Sequence, residues 1–172
     1  MNAPQKQTIT ATYEIYVSQN DLPEDEKNLV IKAREAMKNS YSPYSHFSVG
    51  AGVLLKDGSI VQGSNQENVA YGPTNCAERS ALFAVGSQGK KDQVKKIAVI
   101  ARPTSELDKA VSLDKELPGT SCGTCRQVMK EYEVLSGEKM IILCVFNSDR
   151  IYRFEGVDSL LPLAFSPMVL KS

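Results

Sequence analysis

The cysteines of this 172-residue chain carry its most specific chemical signal. Cys122 and Cys125 form the stretch C-G-T-C directly before an apolar-periodic segment, and Cys76 stands at the start of another such segment. A Cys-x-x-Cys pair that opens a helix suits either a redox pair or a metal site, and the pair alone does not separate the two. Cys76 favours the metal, because helix starts lower the pKa of a thiol and thiolates bind metals well.

A catalytic zinc ion is the chemistry that these three thiols would support. If the two predicted helices lie side by side on one face of a sheet, the thiolates can converge on one Zn²⁺ and leave a fourth position open, as in catalytic zinc sites. The chain has a single histidine, His46, so its metal ligands must be sulfur or carboxylate. Cys144 lies inside the apolar run M-I-I-L-C-V-F, and we interpret it as a buried packing residue.

Two charged residues closely follow Cys76. In the first helical turn, the carboxylate of Glu78 can approach the open side of a metal and move a proton from a bound water to a substrate. The alternative is an acidic residue that complements the helix dipole. Zinc with three thiolates carries a net negative charge, so a positive group should offset it. We expect Arg79 to donate hydrogen bonds to the ligand sulfurs, and the alternative is an ordinary surface arginine.

Strands and helices alternate in the order β-β-α-β-α-β-β after an opening helix, which predicts one three-layer α/β domain with a mixed sheet. Ahead of this domain, residues 8–17 alternate in polarity, which suggests a short strand at a sheet edge. We therefore divide the chain into an N-terminal extension, 1–22, and a single catalytic domain, 23–172. The predicted helices lie in 21–40, 76–89 and the second half of 119–134, and the predicted strands in 49–65, 95–102, 140–146 and 150–156.

Composition excludes several classes of protein. The chain has 20 Lys+Arg and 20 Asp+Glu, so no general charge excess draws it to nucleic acid or to an anionic membrane. Its N-terminus lacks a basic region followed by an apolar stretch, and its longest apolar runs are far too short to cross a bilayer. We expect a cytoplasmic protein with no membrane and no polynucleotide partner.

The stretches C-A-E-R at 76–79 and S-C-G-T-C-R-Q at 121–127 resemble the zinc-dependent cytidine deaminases, specifically the small homotetrameric type with three cysteine ligands. Residues 41–72 and 160–167 resemble the N-terminal half and the C-terminus of that family, so the likeness covers roughly 25–168. The resemblance implies a cytidine deaminase-like α/β/α sandwich with a mixed five-stranded sheet. It also implies a zinc-dependent hydrolase of pyrimidine salvage that converts cytidine and deoxycytidine to uridine and deoxyuridine with release of ammonia.

The resemblance also assigns roles to individual residues. Zinc would be held by Cys76, Cys122 and Cys125, and a water activated there would attack C4 of cytosine while Glu78 carries protons to N3 and to the leaving amino group. A homotetramer with shared active sites is implied as well. The substrate-binding positions are Asn65 and Glu67 for a ribose hydroxyl, Phe47 against the pyrimidine ring, the Ala77 backbone at the base edge, and Phe165, Val69 and Tyr71 from across a subunit boundary.

Other interpretations stay open beside this one. Phe47 and Phe165 could be core aromatics, and Asn65 could be a turn residue. A related deaminase of another cytosine-bearing small molecule, such as blasticidin S, is the alternative function. A structural zinc protein would need a fourth ligand, for which Cys144 is the candidate, and a redox module would use the C-G-T-C pair. The chain departs from the family at Ser121, where proline is usual, and at His46, where lysine or arginine is frequent.

Overall fold

The computed structural model of the protein describes residues 4–107, 119–146 and 149–166. None of the helices in these ranges is both long and apolar enough to span a membrane. The segments predicted from periodicity are present, with bounds that differ by a few residues. The helices are α1 (Glu24–Met37), α2 (Ala77–Ser87) and α3 (Gly123–Ser136), and the strands are β1 (Glu14–Tyr16), β2 (Phe47–Leu55), β3 (Ile60–Ser64), β4 (Val94–Pro103), β5 (Ile141–Phe146) and β6 (Ile151–Glu155).

The strands form one mixed sheet in the order β1-β6-β5-β4-β2-β3. β4 and β5 are parallel, and the other neighbouring pairs are antiparallel, so the prediction of a mixed sheet is confirmed. The predicted number of five strands is wrong, because the described part of the chain forms six. The additional strand, β1, comes from the N-terminal extension and pairs antiparallel with β6, with Ile15 opposite Tyr152. It covers an edge of β6 whose backbone groups would otherwise be unpaired.

The sheet is covered by helices on both faces, which confirms the three-layer α/β/α prediction. β4 shows why, because its side chains are apolar in both directions. Ile97 and Val99 belong to the core under α2 and α3, whereas Ile100 belongs to the core under α1. A strand that is apolar on both faces is stable only when both faces are covered.

Close packing of α2 on β3 fixes where this helix begins. A Cβ atom on Gly63 would overlap the backbone nitrogen of Ala81 and come within 2.7 Å of the carbonyl oxygen of Ala77. Glycine therefore lets the first turns of α2 lie directly on the strand. This contact places Cys76, the residue before the helix, at one end of the sheet.

The short strand β1 is tied to the domain by charge and by aromatic contact. Arg153 Nη1 lies 2.9 Å from Glu14 Oε2, and its Nε lies 3.0 Å from Oε2 of Glu26, which is 1% exposed. The ring of Tyr13 lies 5.4 Å from that of Phe154. Part of the N-terminal extension thus packs against the domain, and the division of the chain at residues 22 and 23 stays a prediction.

Candidate zinc centre and active site

The N-terminal ends of α2 and α3 bring the three thiols together. Cys76 is the N-cap of α2 in extended conformation (φ −75°, ψ 154°), and Cys122 is the N-cap of α3 (φ −64°, ψ 163°). Cys125 lies in the first turn of α3. Each thiol therefore sits where unpaired backbone N–H groups and the positive end of a helix dipole favour a thiolate.

The sulfur geometry fits a zinc ion. All three Sγ atoms lie within 4.8 Å of one another. Tetrahedral zinc with Zn–S bonds of about 2.3 Å separates its sulfurs by about 3.8 Å, so a small contraction would complete the site. Hydrogen bonding from Cys125 lowers the pKa of Cys76, and the same contact raises the pKa of Cys125. Three thiols this close repel one another as thiolates unless a cation joins them, and Zn²⁺ is the cation that suits a sulfur set.

Cys144 does not take part in this cluster. It lies in the middle of β5, is completely buried in the core under α2 and α3, and is absent from the group of clustered ligands found in the described part of the chain. Burial raises the pKa of its thiol to about 12. This agrees with the sequence-based interpretation of Cys144 as a packing residue. A structural zinc site with four cysteine ligands would lack its fourth ligand, because Cys144 lies outside the cluster.

A cavity of about 330 Å³ opens beside Cys76 and Cys122, within the size range of small-molecule sites. Glu78 lines it and is 4% exposed, and burial raises the pKa of its carboxyl group. A buried carboxyl group next to a metal centre is suited to exchanging protons with a bound ligand. The remaining lining residues are Ser45, Phe47, Val49, Asn65, Glu67, Thr74, Asn75, Thr120, Ser121 and Phe146.

Two polar residues of the cavity lining, Asn65 and Glu67, lie just after the end of β3. Asn65 is buried; its Oδ1 accepts from the backbone nitrogen of Val49 at 2.8 Å, and its Nδ2 donates to the carbonyl of Phe47 at 2.9 Å. Glu67 Oε2 accepts from the backbone nitrogens of Tyr44 (2.9 Å) and Ser45 (3.2 Å). Hydrogen bonding from Ser45 and from these backbone groups lowers the pKa of Glu67, so its half-buried carboxylate stays ionised.

Three sequence-predicted residues are not brought to the cavity of their own chain. Val69, Tyr71 and Phe165 are 74%, 72% and 62% exposed. Ala77 is buried at the first position of α2, next to the cavity residues Cys76 and Glu78. The role of the three exposed residues at the cavity of a partner subunit therefore stays a prediction.

Sequence reasoning missed the residues that brace the site. Arg126 Nε donates to the carbonyl of Ser121 at 2.6 Å, Nη1 to the carbonyl of Leu160 at 2.7 Å, and Nη2 to Thr120 Oγ1 at 2.5 Å. It thereby fixes the loop before Cys122. Its position directly after Cys125 is the only signal in the sequence, because no local pattern indicates the contact with Leu160, which is 34 residues away.

Arg79 lies close to the thiol cluster. Its Nη2 lies 3.7 Å from Cys76 Sγ and donates to the carbonyl of Thr74 at 3.2 Å. Its Nε is buried with no hydrogen-bond partner among the described residues. A guanidinium held against sulfur in this way is placed to balance negative charge on the cluster.

An α/β/α sandwich that carries three clustered thiols at two helix starts, beside a buried glutamate, defines a zinc-dependent hydrolase of the deaminase type. Comparison with known proteins agrees. Residues 23–142 match the model of the cytidine and deoxycytidylate deaminase zinc-binding region. The chain belongs to this family, and it is an enzyme with a zinc cofactor.

Individual relatives support the same assignment. A cytidine deaminase of Sporosarcina psychrophila is 39% identical over 142 residues, which are 83% of this chain and 92% of the relative. One of Halalkalibacterium halodurans is 47% identical over 107 residues, 62% of this chain and 71% of the relative. The crystal structure of cytidine deaminase from Burkholderia pseudomallei is similar with a TM-score of 0.66 at 33% identity, covering 80% of this chain and 97% of that one.

Proposed function

We propose that this enzyme hydrolyses cytidine and deoxycytidine to uridine and deoxyuridine with release of ammonia, as a step of pyrimidine salvage in the cytoplasm. The observation that carries the proposal is the arrangement of the cavity. The buried carboxyl group of Glu78 and the thiols of Cys76 and Cys122 line it together with Asn65 and Glu67. A pyrimidine base and its sugar need both kinds of group within one small cavity. The relatives named cytidine deaminase support the same substrate class.

The thiolates of Cys76, Cys122 and Cys125 would hold the zinc ion. When bound, zinc lowers the pKa of water to about 7 and supplies a nucleophile at neutral pH. Glu78 then has two tasks in this proposal. It accepts the proton that the attacking water loses and delivers it to N3 of the base. It then takes the remaining proton of the new C4 hydroxyl group, which becomes the carbonyl of the product, and passes this proton to the 4-amino group. The C4–O bond forms, the C4–N bond breaks, and ammonia leaves.

Asn65 and Glu67 would recognise the sugar. Glu67 is ionised and can only accept hydrogen bonds, so it fits a donor such as a ribose hydroxyl. Its two backbone hydrogen bonds, from Tyr44 and Ser45, hold the carboxylate in one orientation. A free base would not supply the hydroxyl donor that a sugar offers to this carboxylate, which disfavours its binding. Phe47 would pack against the pyrimidine ring, and the Ala77 backbone would contact the base edge.

The charge of the cavity lining would discriminate between nucleosides and nucleotides. Among the described residues that line the cavity there is no lysine or arginine, while Glu67 and Glu78 are both acidic. A phosphate group brought into this cavity would meet carboxylates and no compensating cation. We therefore expect nucleosides, rather than nucleoside monophosphates, as substrates.

A substrate panel tests this proposal. We expect turnover of cytidine and deoxycytidine, a kcat/KM for free cytosine lower by about 10⁴-fold, and one for cytidine monophosphate lower by at least about 10²-fold. Absorbance changes on deamination measure all four rates. The Glu67→Gln variant should lose part of the preference for cytidine over cytosine, because a neutral amide is a weaker acceptor. Equal rates for cytidine and its monophosphate, or faster turnover of blasticidin S, would contradict the proposal.

Arg79 would compensate the charge of the zinc site. Replacing Arg79 by glutamine should weaken zinc binding by about 10- to 100-fold, because a neutral side chain cannot balance three thiolates, whereas Arg79→Lys should weaken it less. Competition with a chromophoric chelator measures both affinities. Equal zinc affinity in wild type and Arg79→Gln would show that this arginine does not compensate the cluster.

The exposed residues Val69, Tyr71 and Phe165 would complete the cavity of a neighbouring subunit in a homotetramer. Their exposure supports the proposal, because it leaves all three side chains accessible to a partner subunit. Tyr71 also has a left-handed backbone (φ 55°), as does the 89% exposed Leu163. Such strained conformations in bulky residues are typical of functional segments.

A further inference from the structure

The hydroxyl group of Ser121 is buried without a partner. The residue is 2% exposed, and its Oγ makes no hydrogen bond to any described residue. Buried hydroxyl groups are nearly always paired, because the loss of water is not otherwise compensated. An unpaired one beside a ligand cavity therefore indicates a partner that is acquired during function.

The other polar groups of Ser121 are already engaged. Its carbonyl accepts from Arg126 Nε at 2.6 Å, and its backbone N–H faces the sulfur of Cys144, where it opposes the rise of that thiol's pKa. Thr120, the preceding residue, is held by the same arginine. Arg126 thus holds the carbonyl of Ser121 and the hydroxyl of Thr120, while the Ser121 hydroxyl keeps one free donor.

This donor belongs to the same cavity as the Glu78 carboxyl group. Ser121 and Glu78 both line that cavity, and both are almost completely buried. A serine hydroxyl rotates freely and offers one proton, while an ionised carboxylate only accepts, so the two groups are complementary.

We propose that Ser121 is a positioning residue for Glu78: its hydroxyl donates a hydrogen bond to the Glu78 carboxylate when substrate fills the cavity, and holds that carboxylate in line with the proton it transfers. This inference rests on the proposed function, because it concerns the step in which Glu78 moves protons. The hydrogen bond forms with the charged state of Glu78, so it acts on the chemical step rather than on substrate binding.

The test compares Ser121→Ala with Ser121→Thr in the zinc-loaded enzyme. Ser121→Ala should lower kcat for cytidine by about 10- to 100-fold with KM within about twofold, because a misplaced proton carrier slows chemistry without weakening binding. Its zinc content should be unchanged. Its Tm should stay equal or rise, since an unpaired buried hydroxyl is replaced by an apolar group. Ser121→Thr keeps the hydroxyl and should retain most of the activity.

Ser136 provides the matched control. It is also a buried serine, but it lies at the end of α3, where its hydroxyl donates to the carbonyl of Glu133 at 3.0 Å. Ser136→Ala should lower Tm and leave kcat unchanged, the reverse of the pattern expected for Ser121→Ala. A merely structural role of Ser121 would give the Ser136 pattern at both positions.

A double variant separates the remaining possibilities. If Ser121 acts through Glu78, then Ser121→Ala should cause no further loss in a Glu78→Gln background. Additive losses, an unchanged kcat in Ser121→Ala, or a raised KM with normal kcat would each overturn the positioning role. A zinc-loaded wild type that fails to deaminate cytidine would refute the proposed function and this role with it, whereas an active wild type with an unaffected Ser121→Ala refutes the role alone.

Discussion

Replacing Glu78 by glutamine is expected to lower kcat for cytidine by about 10²- to 10⁴-fold, while zinc content stays at the wild-type level. Glutamine has nearly the same shape and can fill the same buried position, but it cannot accept a proton from water or pass one to the base. The thiols of Cys76, Cys122 and Cys125 remain in place, so the metal should be retained. Steady-state rates together with metal analysis of the same preparations provide the measurement.

Glu24 is the matched control for this experiment. Glu24 is an acidic residue in the first turn of α1, as Glu78 is in the first turn of α2. Unlike Glu78, it is exposed, and it is distant in sequence from all three thiols. If Glu78 only complemented a helix dipole, both glutamine variants would lose a small amount of stability and no activity. Normal turnover in Glu78→Gln would therefore disprove the proton-transfer role and favour the dipole interpretation.

Replacing Cys125 by alanine is expected to remove zinc and reduce turnover to background, a loss of at least about 10³-fold. Cys125 is the buried member of the cluster, and two thiols cannot hold zinc as three do. The melting temperature should also fall, because the metal no longer links α2 to α3. Metal analysis, turnover and thermal unfolding of one preparation record the three effects.

Cys144 supplies the matched control, since it is equally buried but lies outside the cluster. Cys144→Ala should keep zinc and activity and lose about 1–2 kcal/mol of unfolding free energy from reduced packing. Loss of zinc in Cys144→Ala would indicate a structural site with four cysteines. A wild type that holds no zinc, with an activity that depends on a disulfide between Cys122 and Cys125, would indicate a redox pair.

Several parts of the fold follow from local sequence. The hairpin between β2 and β3 is predicted by Asp57-Gly58, where Gly58 adopts a positive φ of 83°. The buried strands β4 and β5 are predicted by continuous apolar runs, and the packing role of Cys144 follows from its place within one of them. These signals depend only on neighbouring residues, so they can be recognised without a structure.

The chemically active residues of the site could be predicted from the sequence, but the contacts that hold the site residues in place could not. The two-residue spacing of Cys76 and Glu78 and the pair Cys122 and Cys125 identify the thiols and the proton carrier. The orientation of Glu67, by contrast, depends on backbone N–H groups from a loop more than twenty residues earlier in the chain. Such contacts leave no periodic or local pattern in the sequence.

By itself, the sequence determined the thiols at two helix starts, the glutamate beside the first of them, and the alternation of strands and helices. Only the tertiary structure decided that three thiols from distant segments lie within 4.8 Å, that β1 pairs with β6, and that the hydroxyl of the cavity residue Ser121 is buried without a partner. The reason is physical. Helix starts and buried strands are set by the few residues within them, whereas sulfur distances, edge pairing and unsatisfied donors are set by how the layers pack on one another.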